Sequence, residues 1–452
     1  MGTISIHSKR TITPAGVKDA FVLIEDGTIK EVSQTDFEIE GVTHYEAGDN
    51  ILMPGIIDPH VHINQPGRTA WEGFDTATRA ALCGGITMLV DMPLNSSPVT
   101  TNVKALNEKL LAITGVLHTN CGFWGGVVPG NEADIQPLID KGVLGFKAFL
   151  THSGIDEFPN VTEQDLRKVM PVIAESGLPL LVHCELESEN KFSNADHRSY
   201  NNYLLSRPTS WELDAVKLMI RLCETYKCRV HIVHLSSADA LPLIEKAKSK
   251  GLPLTVETAQ HYLYFNSEGI PGGQTQFKCA PPIRNRENNE RLWGALQNGL
   301  IDFVATDHSP APPDMKLMDT GDFMNAWGGI ASLQFSLPAL WTLAEKKNGS
   351  IADMVKWLSS NPAKLIGSDK TKGKIEKGYS GDLVVWNDKE SFVITEDIIQ
   401  HKHKITPYLG EVLKGVVHQT YLHGEQVYNN GSLLRNRGTT LKNAGIISND
   451  HE

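Results

Sequence analysis

The chain has 452 residues, 40% of them hydrophobic and 21% charged, and a formal net charge of −11. That is the composition of a globular protein with room for a sizeable core, and with no lysine/arginine cluster it excludes a nucleic-acid or anionic-membrane partner, which would need a positive footprint. No apolar run reaches the ~18 residues of a membrane span, the opening MGTISIHSKRTITPAG lacks a signal peptide's apolar stretch, and the six cysteines form no Cys-x-x-Cys pair, so a reduced, cytoplasmic protein is expected.

The first ~50 residues read as short strands, with FVLIEDGTIKEVS turning as a hairpin at Asp26-Gly27. The C-terminal part returns to this style in GDLVVWND and KGVVHQTYLHGEQVYNNG. Neither end has enough strands for a stable sheet, so residues 1–52 and 376–452 are expected to pair into one small composite β-sandwich. Between them, apolar strand-like runs alternate with helical patterns such as TEQDLRKVMPVIAESG and PTSWELDAVKLMIRLCETYK, which argues for parallel β/α architecture. Eight strand candidates occur, at 56–62, 86–92, 121–127, 144–150, 178–184, 228–235, 252–258 and 301–307. Eight such units make an α/β fold with a (β/α)₈ TIM barrel over 53–375 a better expectation than an open sheet. The polar tail after about Arg435 is expected to be loosely held.

Polar residues gather at the C-terminal ends of these strands: His60 and His62 on the first, Lys147 in the fourth, His183 on the fifth, His234 on the sixth and Asp307 on the eighth. In a barrel those ends share one mouth, where active sites form. Singly, each residue has an ordinary structural reading: a core histidine, a turn-capping aspartate, a lysine snorkelling to the rim. Convergence of six metal-capable side chains from five strands is much less easily ascribed to chance. Asp58-x-His60-x-His62 sets two imidazoles on one face of a strand. A buried lysine held neutral can add carbon dioxide and become a carbamate whose two oxygens bridge metals. Four histidines, that bridge and one aspartate then suffice for two divalent ions with an open water position.

DPHVH, the lysine in GFKAF, LVHCE, HIVHLSS and ATDHSP resemble the metal-site signatures of the dihydroorotase–hydantoinase–allantoinase branch of amidohydrolases. The resemblance runs to about Val427 and implies a distorted (β/α)₈ barrel with a composite β-sandwich, assembled as a homo-oligomer, commonly a tetramer. It further implies that His60, His62 and Asp307 hold one ion, His183 and His234 the other, and carboxylated Lys147 bridges them; zinc is the expected metal and Asp307 the catalytic acid–base. A non-catalytic scaffold of the same fold would be expected to have lost ligands, and the set here is complete.

Within the branch, dihydroorotases hold a substrate carboxylate with an arginine, an asparagine and a histidine where this chain has Asn64, Leu94 and Ala311. A carboxylate would enter unpaired, which is costly. DMPLN (91–95), KCAPPIR (278–284), DHSPAPP (307–313) and AWGGI (326–330) instead resemble allantoinases, whose substrate carries a neutral ureido arm suited to a neutral pocket. The resemblance thus implies ring opening of allantoin to allantoate in purine degradation, with hydantoinase, dihydropyrimidinase or dihydroorotase activity as the alternatives. Asn64, Asn95, Cys279, Ala280 and Ser309 are the expected substrate contacts, although Ala280 replaces a serine of the family's Ser-Pro-Pro loop. His152 could reach the mouth; His308 should point away from it; the stretch 309–328 reads as a mobile active-site loop.

Overall fold

The computed structural model describes residues 2–37, 39–188 and 196–443. Strands β1 (Ile4–Thr13), β2 (Gly16–Glu25), β3 (Thr28–Ser33), β4 (Thr43–Glu46) and β5 (Ile51–Pro54) open the chain. Parallel β/α units follow on β6 (Ile56–Val61), β7 (Ile86–Asp91), β8 (Asn120–Phe123), β9 (Gly125–Gly126), β10 (Phe146–Phe149), β11 (Leu180–His183), β12 (Val230–Ile232), β13 (Leu254–Ala259) and β14 (Phe303–Ala305). Strands β15 (Leu383–Val393), β16 (Val412–Leu422), β17 (Glu425–Asn429) and β18 (Ser432–Leu433) close it.

The two chain ends do combine, through β5, which pairs with β1 on one edge and antiparallel with β15 on the other. The sequence suggested one small composite sandwich; hydrogen bonding joins the strands of both ends in one sheet, ordered β18-β17-β16-β15-β5-β1-β2-β3 with β4 on β1. Ile6, Val22, Leu52 and Val385 share one buried core, and Tyr45 meets Tyr421 edge-on at 5.4 Å, so the sheet folds over on itself. Its hairpin turns at Asp26 (φ 48°) and Gly27 (φ 78°), the left-handed pair that a two-residue turn requires.

All eight predicted strand units contain strands, generally shorter than the apolar runs. The third run divides at Trp124, whose backbone N–H donates to Asp91 O (3.1 Å) while its indole N–H donates to Pro59 O (2.8 Å). One parallel sheet therefore holds β6-β7-β8 and another β9 to β14. They adjoin where Leu144 N–H donates to Phe123 O (3.0 Å), and again where His62 N–H donates to His308 O (2.8 Å). Both quoted helical stretches form: Glu163–Ser176 starts on a Thr162–Asp165 capping box and stops at Gly177 (φ 71°), and Thr209–Tyr226 follows Pro208.

The described part of the tail, up to residue 443, differs from expectation; residues 444–452 lie outside the described residues. Residues 438–441 run as an extended segment along β8: Gly438 N–H donates to Leu117 O (3.2 Å), Cys121 N–H to Thr439 O (2.9 Å) and Leu441 N–H to Cys121 O (2.9 Å). Asn120 Oδ1 accepts from the backbone N–H (3.1 Å) and hydroxyl (2.9 Å) of Thr439. Polar composition suggested looseness, but an unpaired strand edge supplied partners for those polar groups. A cut after Arg437 should therefore lower stability by about 2–4 kcal/mol, a few hydrogen bonds at ~0.5–1.5 kcal/mol each plus an uncovered edge. An unchanged urea midpoint would show that the tail contributes nothing.

Candidate active site

The expected ligands converge. His60 lies on β6 and His62 one residue beyond it, and their Nε2 atoms approach one oxygen of Asp307, Oδ1, at 3.2 and 3.5 Å. These three buried residues form a candidate metal site. Beside them, His183 Nδ1 and His234 Nε2 lie 3.0 Å apart, near the ~3.3 Å spacing of two ligand nitrogens on one tetrahedral ion. The His60 and His234 rings are 5.3 Å apart, so the two groups adjoin. Lys147, in β10, is fully buried; its Nζ has no hydrogen-bond partner among the described residues and sits 4.8 Å over the Phe149 ring, which stacks on His183.

The electrostatics suit a cation. Burial pushes His62 down to about 4 and His234 well below the usual histidine range, leaving the neutral imidazoles that bind metals. Burial also opposes charge on His60, but Glu257 and Asp307 outweigh it and raise His60 to about 9, so this point favours positive charge. Lys147 is lowered to about 8 by burial, against the pull of Asp307 and Glu257, which brings a neutral amine within reach near physiological pH.

Buried acids behind the ligands aim them. Glu257 accepts from His60 Nδ1, from His231 Nε2 (3.1 Å) and from the His234 backbone N–H (3.3 Å). Glu185 accepts from His183 Nε2 (2.8 Å) and Arg207 Nε (3.0 Å), leaving His183 Nδ1 directed at His234. Glu212, paired with Arg284, accepts from the N–H groups of Ser236 and Ser237, just past His234. Asp58 accepts from Thr306 Oγ1 (2.5 Å), tying β6 to the approach of Asp307. His234 (φ 37°) and Asp307 (φ 47°) are left-handed, as are Asn64 and Asn95 (φ 67° each), a strain that non-glycine residues keep where function fixes it. Sequence reasoning missed the supporting acids; the signal was an acid inside an apolar run, Glu257 in LPLTVETA and Glu185 in LVHCE.

The site floors a cavity of about 650 Å³. Of the expected substrate contacts, Asn95, Ala280 and Ser309 line it; Asn64 and Cys279 lie outside the lining. Asn64 donates through Nδ2 to Pro310 O (3.3 Å), and the carbonyl of Cys279 accepts from Tyr203 Oη (2.7 Å). Of the three replaced carboxylate-binding positions only Leu94 faces the cavity. Nor is the wall neutral, since it includes Arg207 and Lys278; the Arg207 charge is matched by Glu185, and Lys278 is committed to backbone carbonyls. His152 does reach the cavity. His308 turns away, its Nδ1 accepting from Ser332 N–H (3.0 Å). The stretch read as mobile is tied down, its residues 315–329 held by hydrogen bonds on both flanks.

Comparison with known proteins agrees with this geometry. The model of the "Amidohydrolase family" matches residues 51–427. The chain belongs to the amidohydrolase family. Among curated amidohydrolase relatives, an allantoinase of Streptomyces avermitilis is 46% identical over 93% of this chain and 94% of its own. One from Arabidopsis thaliana is 44% identical over 93% and 87%. Among solved structures, the L-hydantoinase (dihydropyrimidinase) from Arthrobacter aurescens superposes with a TM-score of 0.91 at 28% identity, over 98% of this chain and 100% of that one. No helix among the described residues is long and apolar enough to cross a membrane.

If Glu257 aims His60, Glu257→Gln should weaken divalent-metal binding about 10–100-fold, the usual effect of losing such a partner. Competition with a chelator measures it; unchanged affinity would assign Glu257 to packing alone.

Proposed function

We propose that this amidohydrolase opens the hydantoin ring of allantoin to give allantoate. What carries the reading is the gathering of four histidines, Lys147 and Asp307 at one cavity, in a chain 46% identical to a curated allantoinase. The adjoining parallel sheets fit a distorted (β/α)₈ barrel over 53–375, with residues 1–52 and 376–452 as the β domain. The donor set fits two divalent cations, zinc by the type of ligand: His60, His62 and Asp307 would hold one, His183 and His234 the other, and Lys147 as its carbamate would lie between them. An unpartnered, buried Lys147 amine supports that role. When bound, such a pair supplies Lewis acidity and hydroxide near neutral pH.

The rest falls to the chain's own groups. Asp307 is held far below the usual carboxylate range; burial opposes this, but His60, His62 and His234 outweigh it. Its ionised carboxylate is placed to take the proton of the attacking water and deliver it to the departing ring nitrogen. Ser309 and Asn95 offer hydrogen-bonding groups on the wall, and Leu94 adds an apolar surface. The likeness to an L-hydantoinase structure keeps hydantoin hydrolysis as the second reading.

Three measurements test the proposal. An active preparation should contain about two divalent ions per chain, and metal analysis finding none would end it. Lys147→Ala should lose metal and activity together, with partial rescue by short carboxylic acids plus added metal; a metal-replete, active variant would contradict the carbamate. Leu94 offers no charge-assisted bond to a carboxylate, and each such bond is worth ~1.5–3 kcal/mol. Dihydroorotate should therefore turn over at least ~10²-fold less efficiently than allantoin by kcat/KM. Equal efficiencies would refute the substrate, and faster turnover of unsubstituted hydantoin would promote the second reading.

A further inference from the structure

The motif KCAPPIR and the loop 315–329 meet in an arrangement that the hydrolytic chemistry does not use. Lys316, in the loop, donates through Nζ to Trp327 O (2.9 Å), Gly329 O (2.7 Å) and Lys278 O (3.4 Å). Lys278, in the motif, donates back to Met324 O (2.9 Å) and Ala326 O (2.5 Å), and its ammonium lies 5.0 Å over the Tyr203 ring. Gly329 N–H closes the circuit on Lys278 O at 2.9 Å. Both lysines are buried, and neither pairs with a carboxylate among the described residues.

Burying two ammonium groups without counter-ions is costly. Here the offset is local. Residues 315–329 form no strand or helix, so their carbonyls have no ladder to join, and all four of the loop carbonyls that the lysines bind belong to residues on the cavity wall, Met324, Ala326, Trp327 and Gly329. Trp327, on the cavity wall, meets Trp71 edge-on at 4.8 Å, and Arg68 sits 5.4 Å over Trp71. At Gly329 the approach is too close for any side chain: a Cβ would stand 2.4 Å from Ser309 O. Ser309 N–H in turn donates to Ile330 O (2.9 Å), so the loop and a cavity-lining residue are fixed together.

We propose that Lys278 and Lys316 are positioning residues, a clasp that fastens loop 315–329 as a lid on the cavity and sets how tightly substrate is held there. The clasp leaves the metal ligands alone and acts through Trp327, Gly329 and Ser309. Only its kinetic consequence rests on the allantoinase reading; the fastening itself is independent of the substrate.

Hydrogen exchange on the full-length protein, read amide by amide, tests it. In the wild type the Trp327 and Gly329 amides, bonded to Met315 O and Lys278 O, should be protected. In Lys316→Met they should exchange at least ~10-fold faster while β11 to β13 keep their protection. With bound metal unchanged, KM for allantoin should rise about tenfold or more and kcat should move less, a split that general destabilisation would not give. Lys278→Met should do the same, and the double variant should add little to either. Unprotected lid amides in the wild type would overturn the clasp even if neither variant folds. So would lid exchange that is unchanged in the variants, or that rises only in step with the β strands. A protein inactive on allantoin but showing lid-specific exchange would sink the substrate assignment and keep the clasp.

Discussion

Lys147 sets the terms for its surroundings. Its amine is sealed at zero exposure with no hydrogen-bond partner among the described residues, and an ammonium there would lack the solvation that water gives it. The neighbours do not supply the missing partner as an adjacent carboxylate would. His183 and His234 are pressed toward neutrality by burial, and the nearby negative charge, Asp307 and Glu257, is shared with His60. A lysine in that position is unfavourable as a cation and useful as a neutral amine. Its placement on β10, beside the strand β11 that ends in His183, brings it to the same cavity as the four histidines.

The same constraint explains the buried acids. Imidazoles facing a common point repel one another as cations, so each must be oriented and kept to one tautomer by a group behind it. Glu257 does this for His60, and Glu185 for His183 with Arg207 as its counter-charge. Glu185 is held near 2; burial works against that, and Arg207 with His183 overcomes it. Glu257 and Glu185 are thus ionised deep in the protein because an imidazole N–H or a guanidinium meets each, whereas burial raises Asp58 to about 6 and raises Glu212 as well. Removing any one would leave its partner stranded, and so the shell has the character of one connected structure.

Much of this was legible in the sequence and some was not. The eight β/α units, the two strand-rich ends and the meeting of His60, His62, Lys147, His183, His234 and Asp307 at one cavity could be read because apolar strands make a polar residue near their ends conspicuous. Glu257, Glu185 and Arg207 were harder: an acid inside an apolar run is the only local sign of the first two, and the pairings of Glu257 with His60 across 197 residues and of Glu185 with Arg207 across 22 have no local pattern to announce them. The substrate contacts were least legible. Cys279 sits between two residues that line the cavity and Asn64 two residues beyond one, and a wall built from irregular loops has no fixed side-chain alternation from which facing could be deduced. The tail failed for a related reason. Its polar composition is real, but whether polar backbone stays in water depends on whether an unpaired strand edge waits elsewhere, and β8 offered one.

That edge exists because the third strand run breaks. Trp124 turns its backbone N–H to Asp91 and its indole to Pro59, which fastens β8 to the β6–β7 side of the molecule. Beyond the break, β9 joins β10, so the upper half of the run continues into the sheet that carries Lys147 while the lower half is left with a free side. The two halves therefore serve different ends. The upper one, with Gly125 and Gly126 against Phe146 and Phe158, allows close packing beneath the cavity. The lower one is completed by residues 438–441, through Cys121 and Asn120. Asn120 also donates to Asp382, which is ion-paired to Lys372 and accepts from the His423 backbone N–H at 2.8 Å. A break that serves packing near the site is thereby closed below by residues 438–441, and the β domain and the parallel sheets are joined at the N-terminal end of β8, away from the strand ends that carry the site.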